Sequence, residues 1–113
     1  MAKENEFLKN AAEKGLIDER KIAVAADVAC TNGNNGRAWI FLNGDTMRLY
    51  AFHGTGSLGE CLECLNLKKC RVLKSSSFVL MSYLKLQDGG QIYMIKNFGN
   101  AKNFVAAVKA SCQ

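Results

Sequence analysis

The spacing of apolar residues changes along the chain and divides it into helical and extended segments. In the first segment the apolar residues recur at helical intervals: Phe7, Leu8, Ala11 and Ala12. Lys and Glu occupy the other side, so the pattern predicts a short amphipathic helix over residues 3–14. Gly15 follows directly, in the position where a glycine commonly ends a helix.

From Ile22 onward the apolar residues alternate with others, which predicts a first β-strand that ends before the loop TNGNNG. Two further β-rich runs, residues 37–42 and 46–52, flank Asn43-Gly44-Asp45. An Asn-Gly pair between apolar runs is a strong hairpin signal because both residues tolerate positive φ.

A second hairpin is predicted from residue 77, where SFVLMSYLKLQ and QIYMIKNF flank Asp88-Gly89-Gly90. Both faces of the first run carry apolar residues: Phe78, Leu80, Leu84 and Leu86 on one, and Val79, Met81 and Tyr83 on the other. We therefore expect both faces to be partly covered, one of them by a helix or a partner subunit.

The last segment predicts a helix over residues 100–112 with Asn100 as its N-cap. Its apolar residues form a single stripe: Ala101, Phe104, Val105 and Val108. Such a stripe needs a sheet or another helix to pack against.

The stretch LGECLECLNLKKCRVLKSSS allows two interpretations. Cys61, Leu65 and Leu67 are spaced as on a strand. A helix would instead place one set of residues on a common face: Leu58, Cys61, Leu62 and Leu65. Spacing alone does not decide between the two structures.

The order of elements resembles that of the bacterial pleckstrin-homology-like (PH-like) domains, which are related in fold to the GRAM and eukaryotic pleckstrin-homology modules. The resemblance is carried, within about residues 20–112, by RAWIFLNGDTMRLYAF, LECLNLKKCRVLKSSS and LKLQDGGQIYMIKNFGNAKNFVAAVKA. It implies an α+β, mainly β, fold: a strongly bent antiparallel sheet of about seven strands over residues 20–96, close to a barrel. The helix at 100–112 would cap one open end with Phe104, Val105 and Val108 in the core, and residues 60–74 would form two strands.

Length and composition limit the chain to one domain, residues 1–113, of average globular make-up. It has 113 residues, of which 49% are hydrophobic and 22% charged, and it has no proline. No run approaches the roughly 20 apolar residues that span a bilayer, and the N-terminus is charged, so a cytoplasmic location is expected. The five cysteines, an odd number, are interpreted as reduced thiols.

The positive charge is concentrated in the second half of the chain. Residues 66–113 carry eight basic side chains and one acidic side chain. The densest cluster is Lys68, Lys69, Arg71 and Lys74, with Lys85 and Lys96 as further candidates. On a strand, Lys69 and Arg71 would share one face and Lys68 the other. The cluster favours an anionic partner, although basic residues also protect an edge strand from aggregation.

The resemblance itself says little about ligands. Family members with phosphoinositide affinity place several Lys and Arg in and beside the loop between their first two strands. Here that loop, TNGNNGR, contains only Arg37. Bacterial members are generally interaction or oligomerisation modules, and no binding residue is carried over from the family.

Other sites receive weaker support. The segment 54–59 fits GxGxxG, but a dinucleotide site needs a helix after it and an acidic residue about 20 positions on, and Asp88 is the first acid after Glu63. Cys61, Cys64 and Cys70 with His53 could ligate zinc, but on a strand the first two cysteines would point to opposite faces. We therefore expect no cofactor and no metal.

The function predicted from the sequence is that of a non-enzymatic interaction module. No nucleophile is placed beside the single histidine, so an enzyme is not expected. Protein contact or self-association is the first expectation, with Met81 and Tyr83 as the contact surface. Binding to anionic membrane through Lys68, Lys69, Arg71 and Lys74 is the alternative, nucleotide binding is a minor one, and nucleic acid is an improbable partner.

Overall fold

The computed structural model describes residues 9–31, 33, 35–52, 58–77, 80–97, 99 and 101–112. Within them, residues 9–13 are helical (α1), and seven strands and a second helix follow. These elements are β1 (Ala23–Cys30), β2 (Asn35–Asn43), β3 (Thr46–Phe52), β4 (Leu58–Asn66), β5 (Cys70–Ser77), β6 (Ser82–Asp88), β7 (Gln91–Asn97) and α2 (Lys102–Ser111). A 3-10 helix, Leu67–Lys69, joins β4 to β5. The stretch that allowed two interpretations therefore forms two strands, as the resemblance implied, with the 3-10 helix between them.

The strands form one antiparallel sheet in the order β4-β3-β2-β1-β7-β6-β5. Every strand contributes buried side chains to a single core, so the sheet must bend around them. The largest of these side chains include Ile40, Leu42, Leu86, Tyr93 and Ile95. The bent, mainly β architecture predicted from the sequence is confirmed.

The C-terminal helix α2 packs its predicted apolar stripe into this core. Phe104, Val105 and Val108 are buried, and Val108 is fully inaccessible to solvent. Ala101 occupies the N-cap position, with no side-chain hydrogen bond to the helix. Asn100, the predicted cap, lies outside the described residues.

Both predicted tight turns are present, and each uses a glycine with positive φ. Gly44 (φ 58°) lies in the β2–β3 turn and Gly89 (φ 59°) in the β6–β7 turn. Asn43 belongs to β2 and does not share the positive φ. The Gly44 N–H donates to the Asp18 carboxylate over 2.8 Å, which ties this turn to the preceding segment.

The N-terminal segment packs on the outside of the sheet. Ala11, Leu16 and Ile17 are buried with Phe41, which projects from β2 away from the main core. Gly15 (φ 74°) ends α1 as predicted, and the Leu16 N–H donates to the Ala11 carbonyl oxygen over 2.9 Å. Residues 3–8 of the predicted helix lie outside the described residues.

The start of β6 differs from the prediction. The Ser77–Ser82 pair closes the β5–β6 hairpin, so Leu80 and Met81 precede β6 and do not form part of a strand. Leu84 and Leu86, on one predicted face of this run, are buried, but Leu80, predicted on the same face, is 81% exposed. Leu80 lies before the first residue pair of β6, so the strand alternation that buries Leu84 and Leu86 does not apply to it. Phe78 and Val79 lie outside the described residues.

Candidate binding surface

The four predicted patch residues fall into two groups. Lys68 and Lys69 belong to the 3-10 helix and Arg71 and Lys74 to β5, and all four are exposed. The predicted alternation of Lys68, Lys69 and Arg71 along one strand is wrong, because a 3-10 helix repeats every three residues and a strand every two. The Lys68 ammonium lies 3.4 Å from the Asp45 carboxylate. The first group therefore lies beside the β2–β3 turn, and the second lies on the sheet.

A β-bulge brings Arg71 and Lys74 to the same face of β5. The register shifts between Val72 and Lys74, which leaves Leu73 without a cross-strand partner. Residues three apart on a regular strand point to opposite faces, but an extra residue restores a common direction. Val72 packs on the core, whereas Arg71 and Lys74 are exposed on the outer side.

The outer sides of β6 and β7 continue this surface. The inward residues of the two strands are buried in the core: Leu84, Leu86, Tyr93 and Ile95. The residues between them face outward, and none of these is buried: Tyr83, Lys85, Met94 and Lys96. We define the basic face as Arg71, Lys74, Lys85 and Lys96.

Two lysines of the basic face are direct cross-strand partners. Lys74 pairs with Lys85 across β5 and β6, a position in which Cβ atoms lie about 5 Å apart. Neither ammonium has a carboxylate within ion-pair distance among the described residues. Lys96 differs from these two lysines because its cross-strand partner on β1 is an acid, Asp27. Positive charge is therefore concentrated at the centre of this surface.

The predicted contact residues Met81 and Tyr83 border the basic face. Tyr83 is the cross-strand partner of Lys96 and faces outward. Met81 is 38% exposed in the connection that leads into β6, next to the highly exposed Leu80. Arg71 and Lys74 of the predicted patch therefore lie on the same side of the sheet as Tyr83, with Met81 at the end of that side, whereas Lys68 and Lys69 lie apart from them.

The sequence pattern placed Leu80 on the same strand face as Leu84 and Leu86 and predicted both faces to be partly covered, so the strong exposure of Leu80 was not anticipated. A signal was available in the residues themselves. The apolar run FVLM lies between Ser75-Ser76-Ser77 and Ser82, and serine clusters commonly mark connections between strands.

The cysteines do not form a zinc site within the described residues, where no cluster of three or more metal-ligating side chains occurs. Cys70 is buried and its thiol donates to the Asn66 carbonyl oxygen over 3.3 Å. Burial raises the pKa of Cys70 to about 11. His53 lies outside the described residues.

Cys61 and Cys64 are both exposed, although an odd separation predicted opposite faces. A register shift in β4 makes them the partners of Tyr50 and Arg48, which lie two apart on β3 and share a face. The prediction is wrong because the bulge adds a residue between the two cysteines.

The described residues at the end of the glycine-rich segment are extended, whereas a dinucleotide site requires a helix there. Residues 54–57 lie outside the described residues, but Leu58 and Gly59 begin β4. A strand therefore follows the glycines where the motif needs a helix N-terminus.

The end of the sheet near the β1–β2 connection has a cavity of about 320 Å³. Its apolar wall includes Val28, Ala38 and Leu49, and its charged lining residues among those described are Arg37 and Glu63. One cation beside one carboxylate is a poor receptor for a multiply charged phosphate group. The basic face carries more cations than this cavity and is therefore the stronger candidate site for an anion.

No known protein-family profile matches the chain, and no curated protein sequence matches it. Solved structures do match. The apo structure of the activated truncation of Vav1 gives a TM-score of 0.67 at 16% identity, covering 96% of this chain and 33% of that one. Vav1 inhibited by an allosteric inhibitor gives 0.68 at 15% identity, covering 98% of this chain and 34% of that one.

A smaller solved protein matches over most of its length. The Slm1-PH domain in complex with phosphoserine gives a TM-score of 0.53 at 9% identity, covering 80% of this chain and 90% of that one. The chain spans about a third of the Vav1 chains. At these identities the likeness shows the fold alone, and that fold is PH-like, as the resemblance implied.

Proposed function

We propose that the protein is a non-enzymatic module that attaches peripherally to anionic membrane through the basic face. The observation that carries the proposal is the Lys74–Lys85 pair, two like charges held opposite each other with no ion-pair partner among the described residues. Like charges directly opposite destabilise a sheet. A bound anionic surface offsets the repulsion between the two ammonium groups. The pair, which does not help the protein to fold, is therefore explained by binding.

The strength of the attraction follows from the number of cations. Each Lys or Arg near an anionic leaflet contributes about 1 kcal/mol at physiological salt. The four residues of the basic face together give roughly 4 kcal/mol, or about three decades in the partition constant. Salt weakens this attraction because the side chains are exposed and screened.

The chemistry of the anion is that of a phosphate-bearing headgroup. Phosphoserine, the ligand in the Slm1-PH structure, has the same groups as the headgroup of phosphatidylserine. Lysine ammonium groups bind phosphate and carboxylate oxygens as point charges without strict geometry. Single-stranded nucleic acid is a poorer fit, because stacking needs several aromatic side chains and Tyr83 is the one on this face among the described residues.

The proposal places the module at the cytoplasmic leaflet, where anionic lipids are concentrated. A single domain over residues 1–113, kinship with bacterial and GRAM-like members, and the absence of a cofactor are parts of the same proposal and rest on the sequence. No helix of the described residues is long and apolar enough to cross a bilayer.

Co-sedimentation with vesicles tests the proposal. Phosphatidylcholine vesicles, with and without phosphatidylserine, are compared at low and high salt, using the wild type and Lys74→Glu/Lys85→Glu. The control is Lys9→Glu/Lys14→Glu, which changes the net charge equally at exposed positions of the N-terminal segment. We expect binding to phosphatidylserine vesicles that falls with salt, is lost in the first variant and is retained in the control.

If both variants lose vesicle binding equally, binding depends on the net charge of the protein alone, and a site on the basic face is contradicted. An excess of free phosphoserine distinguishes a headgroup pocket, from which it displaces the vesicles, from an extended surface, where it does not.

Self-association through Met81 and Tyr83 is the competing function. Light scattering of the wild type without vesicles separates the two. A monomer that binds phosphatidylserine vesicles supports the membrane function, and a stable dimer that ignores vesicles overturns it.

A further inference from the structure

The connection between β5 and β6 exposes apolar side chains at the end of the basic face. Leu80 is 81% exposed and Met81 38% exposed. Soluble proteins commonly expose single apolar residues, but two adjacent ones at the end of a cationic surface mark an interaction site.

The sheet register sets the distance of each cation from this end. The Ser77–Ser82 pair is the last pair before the connection. Tyr83 and Lys96 form the next outward pair, and Lys85 follows two residues further along β6. Two residues of a strand span about 7 Å. Measured along the strands from Ser82, Lys96 therefore lies within about 7 Å and Lys85 within about 14 Å. Flexible lysine side chains cover much of that distance with their aliphatic stems.

We propose that Leu80 and Met81 form an apolar anchor that enters the interfacial region of an anionic bilayer, while Lys74, Lys85 and Lys96 contact the headgroups behind it. The inference rests on the proposed function and adds its orientation: the β5–β6 connection points toward the membrane, and the β6–β7 turn points away. Apolar residues in front and cations behind match the layering of a bilayer, in which hydrocarbon lies beneath charged headgroups.

The charges favour a bilayer over a protein as the occupant. The basic face presents cations on three adjacent strands, and its one acidic neighbour in register among the described residues, Asp27, lies beside Lys96 on β1, two strands from β6. A broad anionic plane matches this distribution. A protein partner would need an apolar pocket for Leu80 together with an acidic rim, and light scattering or a fixed stoichiometry would reveal one.

The anchor is tested with Leu80→Ser, and Leu62→Ser is the matched control. Leu62 is also an exposed leucine, 44% accessible, but lies on β4 at the opposite edge of the sheet. We expect Leu80→Ser to bind phosphatidylserine vesicles about tenfold more weakly, because the variant loses the favourable transfer of most of a leucine side chain from water into the bilayer. Its remaining binding stays sensitive to salt, and Leu62→Ser binds like the wild type.

A second variant reports depth directly. Leu80→Trp places an indole at the tip, and vesicles with brominated acyl chains quench an indole that enters them. The native Trp39 is present in both proteins and serves as the internal reference, because it lies half-buried on β2 beside the N-terminal segment. We expect additional quenching in Leu80→Trp and little in the wild type.

The outcomes separate the anchor from the function on which it rests. If the wild type ignores anionic vesicles, the proposed function fails and the anchor fails with it. If the wild type binds and depends on Lys74 and Lys85, but Leu80→Ser is unchanged and Leu80→Trp is not quenched, the anchor alone is wrong. If Leu80→Ser abolishes a dimer seen without vesicles, the connection is a contact between copies of the chain, and the anchor is again wrong.

Discussion

The opposed lysines of the basic face predict that stability and membrane binding change in opposite directions when one charge is reversed. In Lys85→Glu the cross-strand partner of Lys74 becomes a carboxylate, at the same strand position and with a similar, unfavourable strand propensity. At a charge separation of about 6 Å in a water-like dielectric, the repulsion removed is about 0.7 kcal/mol. Because the exposed side chains can move apart, we expect a total gain of about 1 kcal/mol on conversion to an attractive pair.

Denaturation in urea at low salt measures this gain. For a domain of this size, about 1 kcal/mol corresponds to a rise of roughly 4 °C in Tm. The double variant Lys74→Glu/Lys85→Glu restores a like-charge pair, so we expect its unfolding free energy to return toward that of the wild type. A cycle of the two single variants and the double variant isolates the pair from other effects of each substitution.

Binding to phosphatidylserine vesicles should change in the opposite direction. Reversal of one charge removes two units, worth about 2 kcal/mol near an anionic surface, or roughly a 30-fold weaker partition. The reasoning is refuted if Lys85→Glu is no more stable than the wild type at low salt. It is also refuted if the gain persists in high salt, because screening should remove a surface charge effect. Lys9→Glu, with the same change in net charge, should show no gain.

Three further predictions concern the fold. Val108→Ala should lower the unfolding free energy by about 2 kcal/mol, measured in urea, because a fully buried side chain leaves a cavity beneath α2. The Arg20 guanidinium holds the pKa of Asp18 well below its ordinary value of 3.8. The ionised Asp18 therefore stabilises the fold fully at pH values above this ordinary pKa, and the stabilisation is lost as the pH falls toward the lowered pKa. Asp18→Asn should therefore be less stable than the wild type at pH 7, with the difference shrinking below about pH 4 in acid titrations followed by circular dichroism. Iodoacetamide should modify the exposed Cys61 before the buried Cys70, whose raised pKa disfavours the thiolate, as peptide mass spectrometry would show.

Local patterns in the chain were sufficient for the elements whose signals are local. Glycines that must take positive φ marked both tight turns, and the stripe of α2 anticipated its buried residues. The mainly β character of the fold followed from the number of strand-like runs and a closing helix. The resemblance to PH-like domains added the strong bend of the sheet and the two strands within residues 60–74, which spacing alone left open.

The candidate site was predicted only in part, because its surface depends on two features that spacing does not reveal. The bulge at Leu73 reverses the face of every later residue of β5, so Arg71 and Lys74 lie together. The pairing of Ser77 with Ser82 ends the hairpin and leaves Leu80 in solvent. A one-residue change in register moves side chains to the opposite face, and no count of apolar positions contains that information.

Local sequence patterns were enough to identify most of the strands, the two glycine turns, the apolar stripe of α2 and the excess of positive charge in the second half. These properties depend on residues close together in the chain, where backbone preference and periodicity act directly. The tertiary structure alone decided which cations share a face, that Lys74 lies opposite Lys85, and that Leu80 points into water. Those relations depend on pairing between strands, and pairing is set by the packing of the whole core around residues far apart in the chain.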